Sequence, residues 1–321
     1  MPRQVCLVAG LILAASAGAA CWSGCSVLGR LSRRAPDEPT SSPTQGFRLC
    51  DAQAILLGRA RGILVAANGG LTNEAAPPNS LAAIQAAIDL GLPMVVVDVC
   101  QTPDKVCVLD RNHALTQAGS PRHRRPASER QPLRPGGPQG PDAPIPTLSE
   151  ALALAGGRVL MGLRLRSAEL PAVVAVIDKT GLADQVLVIA TTADQVRQAT
   201  PYLQRTPPIL IGFEALTQDR LTGIESTPPW PAIVQLGPET FSSTSIARTQ
   251  AMGARVLVHQ RGVLLVRTGA GLAPYHRMGA TILLTDWPRQ LIREMREINA
   301  QDGTSHPTQD ATVSRPPASD R

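Results

Sequence analysis

From about residue 60 to residue 295, short runs of Val, Ile, Leu and Ala alternate with longer stretches whose apolar positions recur every three or four residues. The short runs predict strands at Ile63–Ala67, Met94–Val99, Val106–Leu109, Val159–Leu165, Gln185–Ile189, Ile209–Phe213, Ala232–Gln235, Arg255–His259 and Thr281–Thr285. Most are apolar at successive positions, as a parallel sheet covered on both faces requires. Between them, Asn79 or Ser80 is placed to cap a helix over Leu81–Leu90, which Gly91 ends. Thr147 and Glu150 have capping-box spacing just after Pro146. Further helices are predicted at Ala193–Tyr202, Ser243–Met252 and Arg289–Ile298. Repeated strand-then-helix order predicts an α/β fold, an irregular TIM-type (β/α)8 barrel. One junction departs from it. Only Cys100–Lys105 separates the second and third strands, too short for a parallel crossover. A β-hairpin centred on Pro103 and Asp104 is expected there, setting Val96 across from Arg111 and Asp98 across from Leu109.

Composition narrows the function classes. The 321 residues are 43% hydrophobic but only 2% aromatic, so a large core must be built from aliphatic side chains. So few aromatics argue against single-stranded nucleic-acid binding by base stacking, and no nucleic-acid partner is expected. The net charge of +6 comes largely from arginines such as Arg33, Arg34, Arg122, Arg124 and Arg125, which lie among Pro, Ser and Gly and read as solvated linker. No charged residue separates Arg3 from Arg30, and Val5–Ala20 is almost wholly apolar. Residues 1–29 therefore read as a secretory signal, a lipoprotein signal or a membrane anchor. Gly18-Ala19-Ala20-Cys21 resembles a lipoprotein cleavage site with Gly where Leu is usual, and Cys25 is a second candidate for lipidation. An exported protein is expected, periplasmic or attached to the membrane through its N-terminus. Residues 30–46 form a Pro/Ser-rich linker, 47–300 the barrel with a basic, Pro-rich loop at 117–145, and 301–321 a polar tail expected to be disordered. The cysteine spacing fits no zinc site. Cys100 and Cys107 are either bridged or two buried thiols.

Several short motifs follow one another in order. They are Ala66-Ala67-Asn68-Gly69-Gly70, Ala76-Pro77-Pro78-Asn79-Ser80, Val96-Val97-Asp98-Val99, Thr102-Pro103-Asp104 and Ile145-Pro146-Thr147-Leu148-Ser149-Glu150, with Gly279, Thr285, Asp286 and Pro288 near the end. In order and spacing they resemble A-H-R-G-G, A-P-E-N-T, E-x-D-V, T-x-D, I-P-T-L-x-E and G-x-D-x-x-x-T-D-x-P. Those are landmarks of the glycerophosphodiester phosphodiesterase domain, an irregular barrel of the phosphatidylinositol-phospholipase-C-like superfamily. The resemblance spans residues 60–295 and implies a phosphoric diester hydrolase of lipid metabolism type, with two histidines as acid and base and a bound Ca²⁺ or Mg²⁺. Here the histidine positions carry Ala67 and Arg111, neither of which can serve as a general base. His113, two residues further on, reads as an exposed loop residue. The metal-carboxylate positions carry Val96, Asp98 and Arg164, so Asp98 is the single candidate metal ligand retained, beside an added guanidinium. Asn68 replaces the phosphate-contacting arginine, and Arg166 a lysine.

Strand alternation places Arg164 and Arg166 on one face. With Asn68 and Arg111 they form a candidate ligand-binding set, since clustered guanidinium groups take phosphate or carboxylate without metal. Alternatively, they pair with Asp98, Glu214 or Asp286 and fill the barrel top. His259 reads as a satisfied residue at the mouth. Walker, G-x-S-x-G and H-E-x-x-H motifs are absent from the sequence. The expectation is a catalytically impaired phosphodiesterase-like barrel binding a small anionic or phosphodiester ligand. Two alternatives stand beside it. One is an active metal-dependent hydrolase, releasing sn-glycerol 3-phosphate and an alcohol, with a site rebuilt from Asp98, Asp110 and His113. The other is an envelope scaffold acting through the arginine-rich loop and tail.

Overall fold

A computed structural model of the chain describes residues 48–72, 76–110, 145–203, 205–260 and 271–304. Among them, nine strands follow the apolar runs: β1 (Leu64–Asn68), β2 (Met94–Gln101), β3 (Cys107–Leu109), β4 (Leu160–Leu165), β5 (Val186–Ala190), β6 (Leu210–Ala215), β7 (Ile233–Leu236), β8 (Arg255–Gln260) and β9 (Ala280–Thr285). Eight of these pair in parallel as β1-β2-β4-β5-β6-β7-β8-β9, and β9 pairs with β1 to close the ring. The expected (β/α)8 barrel is present. β3 lies outside the ring, antiparallel to β2, as the hairpin expectation required.

The hairpin register differs by one residue from the predicted one. Val99 faces Leu109 and Cys100 faces Val108. The loop holds three residues, Pro103, Asp104 and Lys105, between a Thr102–Val106 pair joined by a 3.0 Å backbone bond. Lys105 takes up the extra residue in the left-handed region, at φ 63°. Cys100 and Cys107 consequently lie on opposite faces of the hairpin, and both are buried, unbridged thiols. Burial pushes the Cys107 thiol up to about 11, with Glu169 adding to it.

The helices are α1 (Leu49–Leu56), α2 (Leu81–Asp89), α3 (Leu148–Ala155), α4 (Leu170–Thr180), α5 (Ala193–Gln198), α6 (Thr200–Leu203), α7 (Gln218–Glu225), α8 (Ser243–Ala251), α9 (Ala273–Arg277) and α10 (Pro288–Thr304). Ser80 caps α2 by accepting from the Ala83 N–H, and the Thr147/Glu150 capping box opens α3. The helix expected over Ala193–Tyr202 divides into α5 and α6. α10 runs to Thr304, so residues 301–304 are helical and not part of a disordered tail. α1, α4, α7 and α9 add to the predicted set. None of the described helices is long and apolar enough to cross a membrane. Residues 1–47 (with Cys21 and Cys25), nearly all of the 117–145 loop, and Arg111 and His113 lie outside the described residues.

Alternation along each strand sorts the interior. Leu64, Met94, Leu160, Leu187, Ile233, Leu257 and Ile282 point inward and pack together, and Ala52, Ile55 and Leu56 of α1 close the lower end. Val65, Val95, Val97, Leu163 and Val188 face the helices. The inner space is full. A Cβ on Gly162 would stand 2.8 Å from Val96 Cγ2, closer than a packed core allows. Each fully buried leucine in this layer contributes roughly 1.5–3 kcal/mol relative to exposure.

Candidate functional site

Parallel strands bring their C-terminal ends to one rim, which is where a barrel of this type presents chemistry. Here the rim inherits the inward parity of the layers below, and six of the eight ring strands deliver a polar residue there: Asn68, Asp98, Arg164, Glu214, Gln235 and His259. All six are 5% exposed or less.

At the end of β1 the backbone turns through Gly69 and Gly70, at φ 79° and 92°. A Cβ on Gly70 would meet the backbone carbon of Ala83 at 2.6 Å, so only glycine lets this turn rest on α2. Ala67, aligned by its motif with the first histidine position, packs outward in the cluster beneath the helices. A side chain at position 67 points away from the mouth, and Asn68 is the β1 residue that faces it. Asn68 Nδ2 donates to Asp286 Oδ1 at 2.9 Å and lies 3.4 Å from His259 Nε2. His259 Nδ1 in turn lies 3.5 Å from Gln235 Nε2, which donates to Glu214 Oε1 at 3.2 Å.

The centre of the rim is ionic. Arg164, paired in register with Asp98, donates through Nη1 to Asp98 Oδ1 at 3.0 Å, and its Nε lies 3.2 Å from Glu214 Oε1. Just beyond the end of β4, Arg166 donates through Nε to the same Asp98 oxygen at 2.8 Å and through Nη1 to Glu214 Oε2 at 3.4 Å. The side chains of Arg164, Asp98 and Glu214 are 1–3% exposed; that of Arg166 is 22% exposed. Pairing with Asp98 and Glu214, one of the two arrangements the sequence allowed, is what these arginines adopt.

Burial works against charge on both Asp98 and Arg164. For Asp98 the guanidinium groups of Arg164 and Arg166 outweigh that effect and hold the carboxyl below its ordinary range. Arg164 stays charged because a guanidinium resists deprotonation in proteins. Asn79 adds to the shell around Asp98. Proposed from sequence as a helix cap, it sits instead in the left-handed region at φ 61°. Its Oδ1 accepts from the Asp98 backbone N–H at 3.1 Å, and its Nδ2 donates to Asp98 Oδ2 at 3.5 Å.

Of the predicted site residues, Asn68, Asp98, Arg164 and Arg166 therefore converge on the mouth. Arg111 and His113 lie outside the described residues; Asp110 is the backbone partner of Asp98 in the hairpin. Gln235 and Asn79 were not recognised as mouth residues from sequence. Gln235 carries a signal in retrospect: it shares inward parity with Ile233 at the end of an apolar strand.

These donors do not fit Ca²⁺ or Mg²⁺. Two carboxylates are balanced by two guanidinium groups, and Asp98 Oδ1 already accepts two hydrogen bonds from them. Val96, at another of the metal positions implied by the motifs, packs in the apolar interior. Among the described residues no group of three or more His, Cys, Asp or Glu side chains is placed to hold a metal ion.

No sequence-family model matches the chain, and no curated protein matches it significantly. Solved structures do. A glycerophosphoryl diester phosphodiesterase from Parabacteroides distasonis is 18% identical, covering 79% of this chain and 93% of its own, with a TM-score of 0.59. A phosphodiesterase from Oleispira antarctica, solved in complex with the product sn-glycerol-3-phosphate, is 21% identical over 75% of this chain and 99% of its own, with a TM-score of 0.57. The glycerophosphoryl diester phosphodiesterase domain of a Mycobacterium tuberculosis protein is 20% identical over 73% and 99%, with a TM-score of 0.52. The resemblance read from the motifs holds at the level of fold.

Proposed function

We propose that this chain is a glycerophosphodiester-phosphodiesterase-like barrel that no longer hydrolyses its ligand and acts as a binding protein, exported and attached to the membrane through its N-terminus. The observation that carries this reading is the mouth chemistry. Asn68 stands at the β1 end, where no proton can be exchanged near neutral pH, and the carboxylates that could bind metal are committed to arginines. The uncharged run between Arg3 and Arg30 supports export and attachment.

The charge balance also supports a ligand class. Asp98 and Glu214 cancel Arg164 and Arg166, and Asp286 adds a further carboxylate beside Asn68. Among the described residues the mouth holds no surplus positive charge, and the partly exposed edge of Arg166 is the cation it offers. Such a mouth favours a phosphodiester, with one negative charge, over a phosphate monoester, with nearly two at neutral pH. Thermal-shift titration of the detergent-solubilised full chain tests this. Glycerophosphocholine and glycerophosphoethanolamine should stabilise it without metal, more than sn-glycerol 3-phosphate does, and Arg166→Ala should remove the effect. Metal-dependent hydrolysis of either diester, abolished by Asp98→Ala, would overturn the proposal.

A further inference from the structure

Arg164 occupies an unusual place for an arginine. Its side chain is 1% exposed at the centre of the barrel and reaches two carboxylates that come from different strands, Asp98 on β2 and Glu214 on β6. Drawing together carboxylates from several strand ends is what a divalent cation does in an oxygen-lined site. The hydrogen-bond inventory points the same way. Arg164 Nη2 is buried and has no hydrogen-bond partner among the described residues, and Nε contacts Glu214 as an ion pair without hydrogen-bond alignment. The group is thus held here more by its charge than by a complete set of directional bonds.

We infer that Arg164 is a tethered cation: its guanidinium takes the position and the charge of a divalent ion at the barrel mouth, and by being there it excludes one. The charge count explains the exclusion. Among the described residues, Asp98 and Glu214 against Arg164 and Arg166 sum to zero, and even with Asp286 counted at the rim, adding a divalent ion would leave uncompensated positive charge in the cluster. The ion cannot displace the guanidinium by competing for protons, because arginine does not release its own. A bound metal leaves when its concentration falls. A covalently attached guanidinium does not, so the carboxylate cluster stays neutralised whatever the ionic composition outside.

This inference concerns cation binding alone, and it stands or falls separately from whether the mouth takes or hydrolyses a phosphodiester. The test is thermal unfolding of the detergent-solubilised full chain in EDTA and in a Ca²⁺ or Mg²⁺ titration, for wild type and Arg164→Glu. The wild-type midpoint should be the same in EDTA and in millimolar Ca²⁺. Arg164→Glu places a third carboxylate beside Asp98 and Glu214. It should unfold at lower temperature in EDTA and recover by about several degrees in Ca²⁺, as expected of a ligand present well above its dissociation constant. Adding Asp98→Asn to that variant should abolish the recovery. Two results would overturn the inference: a wild-type midpoint raised by Ca²⁺ or Mg²⁺ and lost on Asp98→Asn, or a folded Arg164→Glu indifferent to both ions. If Arg164→Glu does not fold in either condition, equilibrium dialysis of the wild type against Ca²⁺ decides: no binding supports the tethered cation, and binding that Asp98→Asn removes refutes it.

Discussion

The lower and upper halves of the barrel interior are equally buried and held together by different means. Leu160 is fully buried at the bottom of β4, and Arg164, four residues along the same strand, is 1% exposed at the top. Below, Leu160, Met94 and Leu187 interlock by shape, and any aliphatic set of similar volume would serve. Above, Asp98, Arg164 and Glu214 are held by charge, and each depends on the identity of the others. The lower layer therefore carries information about fold, and the upper layer carries the chemistry of the mouth.

The largest effect should come from leaving a buried charge without its partner. Arg164→Met is expected to cost about 3–5 kcal/mol in denaturant unfolding. It should also depend on pH. Asp98 has a folded value below its ordinary one, so its contribution is whole above about pH 4 and is lost as pH falls through the folded value. The difference between wild type and Arg164→Met should accordingly narrow on acidification. Leu160→Ala is expected to cost about 2–5 kcal/mol through the cavity it leaves. Its difference from wild type should hold steady over the same pH range, and a parallel acid dependence would erase the contrast between the layers. The smallest effect is expected from Asn79→Gly, at about 1 kcal/mol. It keeps the left-handed backbone and removes only the two side-chain bonds to Asp98. A loss as large as that of Arg164→Met would mean that Asn79, not the ion pairs, holds the upper layer.

The barrel was legible because parallel strands buried on both faces must be apolar at successive positions, and that pattern survives any change at the rim. The hairpin was legible from a connection too short to cross over. Its register was not, because Lys105 occupies a left-handed position that a glycine would have announced. The same limit applied at β1. Two alanines in succession, Ala66 and Ala67, leave the inward face unmarked, and only the packing shows that Asn68 and not Ala67 looks into the mouth. Alternation put Arg164 and Arg166 on one face and offered Asp98, Glu214 or Asp286 as partners; the closed ring, which sets β4 and β6 around a common centre, selects Asp98 and Glu214. α1 escaped notice because it is short and has no side-chain cap at its start.

That short helix has a mechanical consequence. Arg48 leads directly into α1, and α1 closes the lower end of the barrel with Ala52, Ile55 and Leu56 without pairing with any strand. Tension applied through the chain ahead of Arg48 would fall first on this plug, which is held by apolar contact and by the Gln53 side-chain bonds to Asp184, and not by the hydrogen-bonded ring of strands. A pull on the N-terminal side would thus be met first at the floor of the barrel, the end furthest from the mouth.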